Sequence, residues 1–215
     1  MRYVVKNQEP ESFAAWKKLA NRDWKPSYQD LMNPEKKELH GSLVAEQGGT
    51  CCYCGREIDL ADSHVEHFVP QASAPDQALD YENLHASCIR ERSPNLPLHC
   101  GHAKEEELDQ ALCISPLDPT CEQRFKYALD GAVLAADPAD ESAAYMIKLL
   151  QLGIPSLRNR RQAVLEGVFD NAFLESATSA ELETIRTVYR TRDNAGHFAD
   201  FAHVVARFAE QLAQP

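Results

Sequence analysis

Apolar positions recur every three to four residues toward both ends of this chain and lose that rhythm in the middle. Phe13, Trp16 and Leu19 are spaced by three behind Pro10-Glu11-Ser12, which predicts a first helix. Leu39 and Leu43 predict a second helix from about Pro34, stopped by Gly48-Gly49. Near the C-terminus, Ala143, Ile147 and Leu150 share one face of a helix that Gly153 ends. Helices over 157–169 and 180–189 follow, and Phe198, Phe201, Val205, Phe208 and Leu212 mark a last amphipathic one. Runs over 124–129 and 132–135 flank Asp130-Gly131, a hairpin signal. Between 50 and 104 the pattern is short and extended. Runs around 53–58 and 64–68 predict a hairpin, followed by a loop rich in Pro and Ala. No internal repeat is present. The expected class is α+β: a helical segment over 1–47, a small core over 48–107, and a hairpin plus helices over 108–215.

Composition narrows the setting. No apolar run approaches 18 residues, so no membrane helix is expected. The opening MRYVVKNQEPES is too polar for a signal peptide, which points to the cytoplasm. There, clustered cysteines hold metal or do redox chemistry more often than they form disulfides. The formal charge of −11 over 215 residues opposes autonomous binding to nucleic acid, because phosphate contacts run on Lys and Arg. Local basic segments at Lys17-Lys18, at Arg158 to Arg161, and at Arg186, Arg190 and Arg192 are the exceptions to test.

Cys51 and Cys54 form a C-x-x-C pair with Gly55 behind it, a spacing at which two thiolates can share one tetrahedral Zn²⁺. Cys88 and Cys100, in the same segment, are the expected other two ligands of this structural zinc. Cys52 is left over, and Cys113 and Cys121 are expected as buried thiols. A thioredoxin-like redox pair is the rival, but no βαβ pattern surrounds it. His64-Val65-Glu66-His67 is not the HExxH of a zinc protease. It contains the HxE of zinc deaminases, but their C-x-x-C follows the HxE and here it precedes. What remains is a carboxylate next to a histidine on a short strand. Neighbouring strand side chains point to opposite faces, so Glu66 and His67 serve one site only if the strand twists or bulges.

Taken in order, Cys51-x-x-Cys54, Glu66-His67-x-x-Pro70, Asn83-Leu84, Cys88 and His99-Cys100-Gly101-His102-Ala103-Lys104 resemble an HNH nuclease, the ββα-metal finger. The stretches EQGG, HVEHFVP, YENLHASC, HCGHAK, ISPLDP, CEQRFKYALDG and LGIPSLRNRR resemble the HNH endonuclease component of Septu-type and retron-associated anti-phage systems. That resemblance implies a zinc-stapled ββα-metal core embedded between helical segments, cutting nucleic acid (DNA before RNA) together with a partner ATPase. In some systems a reverse transcriptase and its RNA–DNA product also take part. It implies His67 as general base, Glu66 and His102 as ligands of a catalytic Mg²⁺ or Mn²⁺, and Asn83 as the residue tying the loop backbone. Lys104 and His64 are implied to meet the phosphate, His64 alternatively as a partner of the site. Two features depart from the usual pattern. Glu66 stands where many such nucleases have Asp, and a longer loop separates Cys88 from Cys100, which leaves His99 as rival to His102. The competing function is a non-catalytic zinc-binding adaptor that docks an ATPase and nucleic acid. Such a scaffold has no need for the Glu66-His67 pair.

Overall fold

The N-terminal helices form where the apolar spacing puts them. In the computed structural model, which describes residues 1–214, α1 spans Glu11–Lys17 and α2 spans Glu35–Glu46. Phe13, Leu39 and Leu43 are buried, whereas Leu19 lies beyond α1 and is exposed. Gly48 and Gly49 end α2 with φ of +60° and +69°, a region glycine enters without steric cost. The Phe198 ring also lies against Gly48, so a side chain there would collide with it.

The central pairing differs from the expected hairpin. Strand β1, Ser63–His67, pairs antiparallel with β2, Leu84–Cys88, with Ser63 opposite Cys88 and His67 opposite Leu84. Residues 53–58 form no strand. Cys51 and Gly55 close a tight turn through Cys51 N to Arg56 O (2.9 Å) and Gly55 N to Cys51 O (2.9 Å). Only a single bridge, Thr50 with Glu57, remains. The β-forming side chains Tyr53 and Ile58 suggest a strand, but the chain turns too sharply at the cysteine pair to make one. Helix α3 is one turn, Gly101–Lys104, between Cys100 (φ 57°) and Glu105 (φ 51°). It completes a ββα unit.

The C-terminal part begins with the expected hairpin, β3 Phe125–Tyr127 and β4 Val133–Ala135. Gly131, at φ 77°, lies under the backbone of Arg158 and Gln162, so no side chain fits there. Helix α4 is Glu141–Leu149, capped by Asp140, whose side chain accepts from Ala143 N (2.9 Å). The left-handed residue after it is Gln151, not Gly153. Helices α5 (Pro155–Val168), α6 (Asn171–Ser176), α7 (Ser179–Tyr189) and α8 (Ala202–Ala213) follow. Helix α6 was not legible from apolar spacing; its signal is local, Asp170 capping Phe173 N. Phe198 and Phe201 precede α8, and Phe201 is its buried, left-handed N-cap.

One apolar cluster joins Phe13, Leu43, Leu84, Phe125, Leu165 and Phe201, so all three expected segments share a core. Cys100 N donates to Leu150 O (2.9 Å) and Phe201 N to Gly55 O (2.9 Å), which pins the ββα unit to the C-terminal helices. Among the described residues, no helix is long and apolar enough to cross a membrane.

Candidate active site and metal centre

Four cysteines meet at one point. The Sγ atoms of Cys51, Cys54, Cys88 and Cys100 all lie within 4.8 Å of one another, and all four residues are buried. The turn supplies the first two, the end of β2 the third, and the residue before α3 the fourth. Tetrahedral coordination at a metal–sulfur distance of ~2.3 Å sets sulfurs about 3.8 Å apart. Cys54 Sγ and Cys88 Sγ are 3.8 Å apart, which fits an ion between them and is far too long for a disulfide. Burial pushes the Cys88 and Cys100 thiols well up, while the neighbouring thiols bring Cys51 well down against the same burial. Arg56 and the buried Arg161 lie within electrostatic reach of the cluster and would offset the excess negative charge of a four-thiolate ion site. His99 belongs to this centre as well. Its Nδ1 is 3.2 Å from Cys100 Sγ and 3.5 Å from Cys88 Sγ, which sets it against the cysteine cluster.

The second centre lies on β1. By strand alternation, His64 and Glu66 share one face with their cross-strand partners Ser87 and His85. Glu66 is buried. Its Oε1 accepts from Tyr53 Oη (2.9 Å) and pairs with Lys104 Nζ (3.1 Å), and its Oε2 is 3.4 Å from His64 Nε2. Burial opposes ionisation of Glu66, but the bonds to His64 and Lys104 outweigh it and hold the carboxyl below its usual range. The same contact raises His64 against its own burial. Gly101 abuts both: a methyl group at its Cα would overlap Glu66 Oε2 and crowd His64 Nε2. Ser87 Oγ fixes Gly101 there by accepting from its N–H (3.1 Å). Glu66 Oε2 and His64 Nε2 thus sit together beside Gly101, one carboxylate oxygen and one imidazole nitrogen, donor types that suit a divalent ion.

His67 ends β1 and is buried against Tyr28, ring centroids 4.5 Å apart and edge to face. Its Nε2 is 3.0 Å from the Ala78 carbonyl, an acceptor only, so Nε2 carries the proton. Nδ1 then holds the ring's lone pair, and Gln71 Nε2 donates to it at 3.4 Å. Burial keeps this imidazole below the usual histidine range, hence neutral and basic at neutral pH. Although alternation points them apart, the charge of Glu66 is felt both at His67 and at Tyr28.

Asn83 ties the loop between the strands. Its Oδ1 accepts from Val69 N (2.7 Å), and its Nδ2 donates to Val69 O (3.0 Å) and Gln77 O (3.2 Å). That loop carries Gln71 and Ala78, both partners of His67. Two expected placements need correction. Lys104 does not face solvent where a phosphate would reach it; it is 1 % exposed, with Nζ on Glu66 and on His67 O (3.0 Å). The imidazole beside Glu66 is His64 rather than His102. His102 lies tilted against His64, ring centroids 4.3 Å apart, with Nε2 on Ile89 O (2.9 Å) and Nδ1 facing Arg92 Nε (3.4 Å). Its place is set by the long loop after Cys88, whose first carbonyl it takes. Tyr53, Tyr28, Gln71 and Ser87 were missed in the sequence. Only Tyr53, inside the C-x-x-C turn, carried any positional hint.

Comparison with known proteins agrees with this geometry. The profile of the HNH endonuclease family matches residues 51–90, from the first cysteine of the turn to just past β2. A relative in Vibrio cholerae serotype O1 biovar El Tor, named "Retron Vc95 putative HNH endonuclease", is 28% identical over 138 residues. The match covers 61% of this chain and 65% of the relative, slightly under two thirds of its length. Residues 51–90, which hold Cys51, Cys54, Cys88 and the β1–β2 pair, are therefore similar to an HNH endonuclease domain.

Proposed function

We propose that this protein is a metal-dependent endonuclease that hydrolyses phosphodiester bonds in anti-phage defence, working with a partner ATPase and, in a retron setting, beside a reverse transcriptase and its RNA–DNA product. The observation that carries the reaction is the pair at the end of β1: His67 with its proton committed to Ala78 and its Nδ1 lone pair met only by the long contact from Gln71, next to an ionised, buried Glu66. The retron in the relative's name supports the defence setting.

In this scheme the four cysteines hold a structural Zn²⁺ and fix the ends of β2 and α3. Glu66 Oε2 with the His64–His102 pair would hold a Mg²⁺ or Mn²⁺ ion. When bound, that ion would stabilise negative charge on the phosphate and on the leaving sugar oxygen. His67 Nδ1 takes a proton from water, the hydroxide attacks phosphorus, and the bond to the leaving oxygen breaks, that oxygen taking a proton from solvent. Asn83 holds the loop that orients His67, and Lys104 holds Glu66 in place while keeping its charge.

The ligand assignment is tested by Mn²⁺-dependent cleavage of labelled oligonucleotides. His64→Ala and His102→Ala are each expected to lose at least tenfold in rate. His102→Asn keeps part of it, because an amide oxygen still binds a hard cation. His99→Ala retains cleavage and instead loosens the cysteine-bound metal. An inactive His99→Ala beside fully active His64→Ala and His102→Ala would reverse the assignment.

A further inference from the structure

Beside His64 a cavity of about 460 Å³ opens between α2 and the start of β1. Lys36, Lys37, Arg90, His40, His64 and Tyr28 line it, and its acidic lining is limited to Glu91. Three cations to one carboxylate inverts the balance of a chain with 33 acidic and 22 basic residues. The basic segments legible in the sequence are largely neutralised in the fold: Arg158 pairs with Asp130, Arg160 with Asp200, Arg186 with Glu183 and Arg190 with Glu122. Lys36, Lys37 and Arg90 enter no ion pair among the described residues. They leave a local positive field in an acidic protein.

The groove leads to the reaction centre. Lys36 Nζ is 4.9 Å from the centre of the Tyr28 ring, and that ring packs edge-on against His67 at 4.5 Å. Across Tyr28 lies a second cavity of about 340 Å³, lined by Gln71 and Ala78, the two hydrogen-bond partners of His67. Tyr28 lines both spaces, one of them strongly basic, and its ring packs on His67. A polyanionic strand passing over Tyr28 would bring a phosphate near His67 and lay its neighbours along the lysines.

We propose that the groove of Lys36, Lys37 and Arg90 is the channel that binds the phosphate backbone of the nucleic-acid substrate on one side of the bond to be cut. This rests on the nuclease function proposed above. Cation–phosphate contacts release counterions, so each one adds to the salt dependence of binding, and a concave positive wall focuses the field that draws the strand in. An acidic protein with one basic channel also avoids coating nucleic acid indiscriminately.

The test is binding of a fluorescent single-stranded 20-mer and its duplex to the full chain without added divalent ion, over a range of salt, with cleavage measured separately in Mn²⁺. Lys36→Glu/Lys37→Glu and Arg90→Glu are expected to bind at least tenfold more weakly. For the double variant the slope of log affinity against log salt should fall by roughly 1.4–1.8, at 0.7–0.9 per lost contact. Lys36→Gln/Lys37→Gln, a milder change on the helix surface, should move both quantities the same way by less. Lys126→Glu/Lys148→Glu, with the same change in net charge on β3 and α4, and His67→Gln should bind like the wild type. If the groove variants bind and cut like the wild type while His67→Gln binds but does not cut, the channel is rejected and the nuclease stands. If the wild type neither binds nor cuts either oligonucleotide, both are rejected.

Discussion

Cys54→Ser is expected to yield a protein that does not hold its fold. The four sulfurs are buried together, and they join the turn at Cys51, the end of β2 and the start of α3, which otherwise meet through a few hydrogen bonds such as Cys52 N to Ala86 O and Gly101 N to Ser87 Oγ. Helix α3 is a single turn of four residues and cannot persist by propensity alone. Binding of a structural zinc contributes an apparent ~10–16 kcal/mol, comparable with the ~5–15 kcal/mol total stability of an ordinary domain. Loss of one thiolate therefore removes most of the margin. Far-ultraviolet circular dichroism on heating, with elemental analysis of freshly purified protein, reads this out: one zinc per wild-type chain and a cooperative melt, against little zinc and no cooperative melt in the variant. Wild-type protein that is folded and free of stoichiometric zinc would end the claim.

Glu66→Ala is expected to cost stability as well as activity, because Lys104 is then left buried without a counter-charge, on backbone carbonyls only. Breaking a buried pair by removing one partner costs about 3–5 kcal/mol, and each kcal/mol is worth roughly 2–4 °C in a chain of this size. A fall in Tm on the order of ten degrees follows. Glu66→Gln/Lys104→Met removes both charges, so it should recover most of the Tm while cleavage stays lost. A Glu66→Ala variant that melts with the wild type would show that Lys104 does not depend on that carboxylate. The same pair explains how Glu66 can stay ionised while buried.

What could be read from the sequence follows from the range of the interactions involved. The two N-terminal helices, the Asp130-Gly131 hairpin and most C-terminal helices depend on local spacing and turn chemistry, and they were legible. The four cysteines were legible because so few residue types can bind zinc that counting them nearly pairs them. Asn83 was legible because its place between Glu66-His67 and Cys88 is fixed in the motif. The partner of β1 was not, since Tyr53 and Ile58 have strand-like side chains and only the closure of the cysteine turn rules them out. The burial of Lys104 and the contact of His64 rather than His102 with Glu66 depend on where a one-turn helix and a long loop come to rest. No periodicity encodes that. The basic channel was hidden for the opposite reason: in sequence Lys36-Lys37 is an unremarkable pair at the start of a helix, and Arg90 lies more than fifty positions away.

The central claim is that His67 performs the proton transfer of a phosphodiester hydrolysis, and one comparison tests it most directly. His67→Gln can still donate to Ala78 but has no basic nitrogen. Its cleavage of a labelled oligonucleotide in Mn²⁺, at saturating substrate, is measured beside the wild type, with Tm and zinc content as controls. The expected result is a rate lower by roughly 10²–10⁴ in a protein that melts and binds zinc like the wild type. Cleavage by His67→Gln at the wild-type rate would contradict the account.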